Sequence, residues 1–234
     1  MSTEAATSKD KYIFTGDDRE QYTKGALEIS DVNLENPFKT FHQWFDEAKA
    51  QKITADAVCL STAEIPSGRV SSRMVLLKEL DDTGFVIYSN FGTSRKSRDL
   101  ESNNHASLCF WYEKMERSVR VEGTTERLTP AVSQVYFDTR PVGSRIGAWA
   151  SPQSKHLEDR SELEDLVKSI RTKFSADGKE DSDKSVKIPV PEYWGGLRII
   201  PERIEFWQGR ANRQHDRVSL AKKGSRWEAE RLAP

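Results

Sequence analysis

Between Ala57 and Leu128 the chain is cut into short apolar runs separated by tight polar breaks, and this spacing limits the fold more than any other feature. AVCLSTAE (57–64) is followed by a turn at Pro66-Ser67-Gly68. RVSSRMVLLKEL (69–80) is followed by a turn at Asp81-Asp82-Thr83-Gly84, and then by GFVIYSN (84–90). HASLCFWY (105–112) and RSVRVEGTTERL (117–128) add two more strands, and a turn between two apolar runs is a hairpin signal. Closely spaced strands with short turns predict a closed or nearly closed antiparallel barrel. The tail returns to strands in WGGLRII (194–200), RIEFWQG (203–209) and a hairpin through Lys223-Gly224-Ser225.

Helices surround this pattern. Asn36-Pro37 supplies a cap and a first-turn proline, and Phe38, Phe41, Trp44, Phe45 and Ala48 then fall on one face. Thr93–Asn103 reads as a short polar helix, and Pro130–Trp149 as a helix interrupted at Pro141-Val142-Gly143. From Leu157 to Phe174, Leu163, Leu166, Val167, Ile170 and Phe174 make an apolar stripe. The expected class is mainly β with peripheral helices (α+β). Residues 1–30 lack periodicity and read as a mobile arm, leaving 31–234 as a single domain. Residues 175–187 (SADGKEDSDKSVK) read as a charged surface loop without core-forming residues.

Several functions are disfavoured. A net charge of -1 is no basis for binding a polyanion such as nucleic acid. No apolar run approaches the ~18 residues of a membrane span. The start, MSTEAATSKDKYIF, fits neither a secretory signal nor a transit peptide, so a cytoplasmic protein is expected, with Cys59 and Cys109 as buried reduced thiols. No His or Cys sits at zinc spacing, and the nucleotide loops, the GxSxG elbow and HExxH are absent.

Cations beside small polar residues remain in three places: Arg73 and Lys78 in an apolar strand, Arg95-Lys96 at a helix start, and Arg213 to Arg217 around His215. A cation embedded in an apolar strand is costly unless an anion pairs with it, and a phosphate suits an Arg fork and a helix N-terminus. Each cluster also has a plainer explanation, as a strand-end ion pair, a solvated helix face or a surface loop. Arg73 and Lys78 are an odd number apart, so sharing one ligand requires a bulge or two neighbouring subsites. The residues alone imply a barrel that binds a phosphorylated ligand.

SSRMVLLK, YSNFGTSRK, RVEG, YFDTRPVGSRIGAWASPQS, WGG, EFWQG, HDR and RLAP occur in this order. Together, from about Arg19 to Pro234, they closely resemble the pyridoxamine 5'-phosphate oxidase family. The resemblance implies an FMN-binding split β-barrel and a homodimer with active sites at the interface. It implies FMN contacts from Arg73, Met74, Val75, Leu76, Tyr88, Ser89, Arg95, Lys96, Ser118, Gln153, Ser154, Trp207 and Arg217. It places the substrate phosphate on Lys78, Tyr136, Arg140 and Ser144, with Arg213 and His215 over the pyridine ring and the reacting carbon, and Arg19 and Tyr22 in a lid. The implied reaction is oxidation of pyridoxamine 5'-phosphate and pyridoxine 5'-phosphate by oxygen to pyridoxal 5'-phosphate, in vitamin B6 metabolism. The alternative is a flavin-binding reductase or carrier of the same fold without oxidase activity. One departure stands out: the family pattern has Arg-Gln-Val-Arg-Val where this chain has Arg117-Ser118-Val119-Arg120-Val121. A serine is too short for the expected flavin hydrogen bond, which implies weaker FMN binding by a factor of about 2–13.

Overall fold

The computed structural model describes residues 21–234. Its eight strands form one antiparallel sheet: β1 (Ala57–Ala63), β2 (Val70–Leu80), β3 (Phe85–Asn90), β4 (His105–Tyr112), β5 (Arg117–Arg127), β6 (Trp194–Gln208), β7 (Asp216–Lys223) and β8 (Arg226–Arg231). They run in the order β3-β2-β1-β4-β5-β6-β7-β8, and a further β3–β6 pairing closes the first six into a barrel. The expected antiparallel barrel is therefore present. Burial alternates along β1 and β4 as a period-2 strand requires, and sends Val58, Leu60, Leu108 and Phe110 inward.

Helix α1 (Pro37–Ala50) plugs the barrel. Asn36 Oδ1 accepts from the Phe38 N–H at 3.1 Å, Pro37 opens the first turn, and Phe38, Phe41, Trp44 and Ala48 are buried. The Phe41 ring lies edge-on to Phe85 and to Phe110, with centroids 4.9 Å apart in each pair. Helices α2 (Arg95–Ser102), α3 (Pro130–Thr139), α4 (Val142–Ala150) and α5 (Arg160–Lys173) lie outside. Gly196 of β6 lies close under the residues that lead into α3. A Cβ there would fall 2.5 Å from Leu128 Cδ1, and the Gly196 N–H donates to Ser133 Oγ of α3.

Four expectations change. WGGLRII and RIEFWQG are one 15-residue strand, because Pro201 lies opposite a register shift at Glu122/Gly123 where its missing N–H is tolerated. Residues 175–187 are not a coreless decoration. Ala176 and Val186 are 0% and 5% exposed and join Phe137, Val142, Ile146, Ile188 and Trp194 in a second apolar cluster. Residues 21–30 are tied down rather than free. The Thr23 and Lys24 N–H groups donate to Glu116, Leu27 is buried and donates to Asp216, and Arg231 clasps Leu27 O and Glu28. Finally, the thiols are free but not buried. Cys59 is half-buried and Cys109 exposed, in register on neighbouring strands, because the alternation that buries Leu60 and Leu108 turns them outward.

Candidate active site

Strand β2 departs from β3 part-way along its length. It pairs with β3 only over Leu77–Leu80, where the register shifts between Leu77 and Glu79, whereas Ser71–Leu76 pair with β1 alone. A bulge ends pairing and re-aims side chains. Along this split runs a cleft of about 830 Å³, floored by β2 and walled by Tyr88 and Ser89 of β3, the start of α2, the α3–α4 junction and the Gln153-Ser154 turn. Arg73 and Lys78 both line it, each with its own carboxylate. Arg73 lies 3.8 Å from Asp99, and Lys78 Nζ lies 2.9 Å from Asp56. The bulge, one of the two alternative conditions, is therefore present between Leu77 and Glu79.

One end of the cleft is a cation cradle built on α2. Ser94 caps the helix by accepting from the Ser97 N–H. Arg95 Nε donates to Asp99 Oδ1 at 2.8 Å, and Lys96 Nζ to Gln153 Oε1 at 2.6 Å. Arg73 donates to Leu60 O, Thr62 Oγ1 and Ser71 Oγ. Asp99 is fully buried. Burial alone would raise its carboxyl pKa, but hydrogen bonds from Thr62, Ser71 and Arg95 outweigh this and hold it below the usual carboxylate range. Lys96 is 5% exposed. Burial, and then the Arg73 charge, push its ammonium pKa down to about 8. Arg73 and Arg95 thus share one carboxylate, Asp99, while Lys96 has no carboxylate within ion-pair distance among the described residues. A phosphate monoester dianion fits this excess of positive charge.

The other end is aromatic and basic. Tyr88 and Tyr136 stack at 3.9 Å, and Trp194 lies nearly parallel to Tyr136 at 6.4 Å. The Tyr88 hydroxyl donates to Glu79 at 2.6 Å; burial, then this bond, raise its pKa. The Arg140 guanidinium sits 4.6 Å from the Trp194 ring, and its Nη1 is buried without a hydrogen-bond partner. A charged donor left unpaired in a cleft suits an anionic ligand. Ser144 of α4 lines the same cavity.

The remaining predicted residues form a separate patch. His215 lies between Trp207 and Tyr22, with ring centroids at 4.6 and 5.7 Å, and Trp111 borders the group. His215 Nδ1 accepts from the Arg210 N–H, so in the neutral ring the proton is on Nε2. Burial, and then Arg213, lower its pKa, partly offset by Asp216. Asn212 and Arg213 both have positive φ, 54° and 62°, a conformation costly for residues other than glycine. Arg217 holds Glu205 with a two-pronged contact at 2.9 and 3.0 Å and also donates to Ala233 O. Ser118 Oγ lies 3.8 Å from Cys109 Sγ. None of Tyr22, Ser118, Trp207, Arg213, His215 and Arg217 lines the cleft, and Arg19 lies outside the described residues. The sheet also exposes Met74 and Leu76 in the cleft and Trp111 at the patch, at 67%, 46% and 45%. Sequence reasoning missed Asp99 and Trp194. Asp99, four residues after Arg95 on a helix, carried a detectable pairing signal.

A six-stranded antiparallel barrel, split beside a cleft lined by Arg73, Lys78, Arg95, Lys96 and Arg140, defines the structural class of this chain as a split β-barrel. Residues 45–174 match the family description "Pyridoxamine 5'-phosphate oxidase", and 194–234 match "Pyridoxine 5'-phosphate oxidase C-terminal dimerisation region". The probable pyridoxamine 5'-phosphate oxidase of Schizosaccharomyces pombe is 48% identical, covering all of both chains. The pyridoxamine 5'-phosphate oxidase of Saccharomyces cerevisiae is 45% identical, covering 99% of this chain and 100% of that one. Among solved structures, PhzG from Burkholderia lata 383, in complex with tetrahydrophenazine-1-carboxylic acid, superposes with a TM-score of 0.78 at 25% identity, covering 89% of this chain and 98% of its own. The chain belongs to the pyridoxamine 5'-phosphate oxidase family and is an oxidoreductase.

Proposed function

We propose that the protein is an FMN-dependent oxidase that converts pyridoxamine 5'-phosphate and pyridoxine 5'-phosphate, with oxygen, into pyridoxal 5'-phosphate. Hydrogen peroxide is released, with ammonia from the amine substrate. The observation that carries this reading is the pair of cationic ends in one cleft: Arg73, Arg95 and Lys96 at one, Lys78 and Arg140 at the other. One suits a cofactor phosphate and the other a substrate phosphate.

Arg73, Arg95 and Lys96 would hold the FMN phosphate, with Gln153 and Ser154 beside it and Met74, Val75, Leu76, Tyr88 and Ser89 along the ring system. Bound there, FMN supplies the two-electron acceptor. Lys78, Arg140, Tyr136 and Ser144 would bind the substrate phosphate, and the unpaired Arg140 Nη1 gains an acceptor. Placement of the reacting carbon against its acceptor is the main task of these residues.

Arg213 and His215 would orient the substrate ring and its reacting substituent. They lie outside the cleft of their own chain, so the patch of one protomer would complete the cleft of its partner in a homodimer. The matched dimerisation region and the exposed Met74, Leu76 and Trp111 support this. His215 would act neutral at pH 7, holding a proton on Nε2. Tyr22 edges both Trp207 and His215 and would help exclude water there. A visible spectrum of the purified protein, followed by oxygen uptake on adding pyridoxamine 5'-phosphate, tests the proposal. A flavin spectrum without oxygen uptake would favour the carrier or reductase, and a protein that binds no FMN refutes the oxidase.

A further inference from the structure

The start of α4 sets the position of Arg140 and Ser144, yet its N-cap residue, Pro141, provides no side-chain cap. Helix starts need acceptors for their first N–H groups. Both acceptors come from the charged segment 175–187. Asp181 Oδ1 accepts from the Gly143 N–H at 2.7 Å, and Asp181 O accepts from the Val142 N–H at 3.0 Å. The approach is so close that a Cβ on Gly143 would lie 2.8 Å from Asp181 Oδ1. A second tie runs from Arg145 Nη1 to Val186 O at 3.0 Å. Arg145 is 5% exposed, its Nε has no hydrogen-bond partner, and no carboxylate among the described residues lies within ion-pair distance. Such a cation is costly to keep unless its field is used. Its charge reaches Arg140, whose guanidinium pKa is lowered by burial, partly offset by Tyr136, with a smaller lowering from Arg145.

We propose that segment 175–187 is a backing wall that positions the substrate-phosphate end of the cleft, with Asp181 fixing the start of α4 and Arg145 adding a buried positive charge beside Arg140. The inference rests on the oxidase reading above. Asp181 and Arg145 are positioning residues, since neither lines the cleft.

The test uses the full-length, flavin-loaded protein. Asp181→Ala is expected to raise KM for pyridoxamine 5'-phosphate about ten-fold, with kcat within about two-fold and flavin content unchanged. Asp181→Asn keeps an acceptor oxygen and is expected to restore KM. Arg145→Gln keeps a donor for Val186 O but loses the charge. It is expected to raise KM and to weaken competitive inhibition by inorganic phosphate several-fold. Unchanged KM and phosphate inhibition in Asp181→Ala and Arg145→Gln would overturn the proposal. So would a joint fall in kcat, flavin content and melting temperature that Asp181→Asn fails to repair. Should Asp181→Ala not fold, Arg145→Gln decides. A wild-type protein that neither oxidises pyridoxamine 5'-phosphate nor binds pyridoxal 5'-phosphate in competition with inorganic phosphate refutes the oxidase reading instead. Normal wild-type turnover with unaffected variants refutes only the wall.

Discussion

Replacing Lys96 by methionine should make the flavin-free protein more stable and the cofactor weaker to bind. The Lys96 ammonium is buried, and its pKa falls from 10.5 to about 8. At about 1.4 kcal/mol per pKa unit, keeping it charged costs the fold about 3 kcal/mol. Loss of the Gln153 hydrogen bond and of the contact over Phe91, 5.6 Å from the ring centroid, takes back about 1 kcal/mol. The net gain, about 2 kcal/mol, corresponds to about 4–8 °C in melting temperature. The sign with pH follows from the direction of the shift. Because the folded pKa lies below the unfolded one, the cost is fully present below pH 8 and fades as pH rises from about 8 to 10.5. The advantage of Lys96→Met should therefore be largest near pH 7 and shrink by pH 10. A bound phosphate raises the Lys96 pKa again, so wild-type FMN affinity should be flat below pH 8 and weaken above it. The variant should lack that pH dependence and bind FMN about 10- to 100-fold more weakly, the value of one charge-assisted hydrogen bond. Thermal melts of flavin-free protein at pH 7 and 10, with FMN titrations followed by flavin fluorescence, measure both effects. A flavin-free variant no more stable than wild type, or one with unchanged FMN affinity, would show that Lys96 is not a strained cation awaiting an anion.

Asp99→Asn removes the carboxylate that gathers Arg73, Arg95, Thr62 and Ser71, and should cost about 3 kcal/mol of stability along with most flavin retention, read by urea melts and bound absorbance. The lowered Asp99 pKa implies that its contribution holds above the usual carboxylate range and is lost as pH falls through the folded value. Arg213→Ala should cut turnover far more than FMN content, and equal losses in a paired activity and absorbance assay would remove it from substrate orientation. Ser118→Gln should tighten FMN binding about 2- to 13-fold in equilibrium titration, and no change would place position 118 away from the cofactor in the assembled enzyme.

The barrel was legible because its evidence is local. Alternation in β1 and β4, the Asn36-Pro37 start of α1 and the Gly224 turn each state their structure within a few residues. Features that depend on a distant partner were not legible. Pro201 looks like a strand break until its position opposite the β5 irregularity is known. The bulge in β2 belongs to its pairing with β3, and no residue of Arg73–Lys78 announces it. Ala176 and Val186 are lost among charges in the sequence and become core only when α3 and α4 supply Phe137, Val142 and Ile146. The cleft-lining residues came from the family resemblance, while their charge logic came from the residues themselves. The separation of Trp207, His215 and Arg217 from the cleft was hidden, because it follows from β6 and β7 lying several strands away from β2 in the sheet order.

The seam between β3 and β6 carries a consequence for handling the molecule in pieces. Strand β6 is both the neighbour of β5 and the stave that pairs with β3 from Phe85↔Ile199 to Asn90↔Trp194. A cut in the segment 175–187 would leave an N-terminal fragment in which β3 and β5 each present an open edge, a ready template for aggregation. The C-terminal fragment would retain β6, β7 and β8 without the α1 plug. Neither half should fold alone, but the two expressed together should re-form the ring, with β6 zipping both open edges at once. The region matched as a dimerisation element is thus also the closing stave of its own barrel.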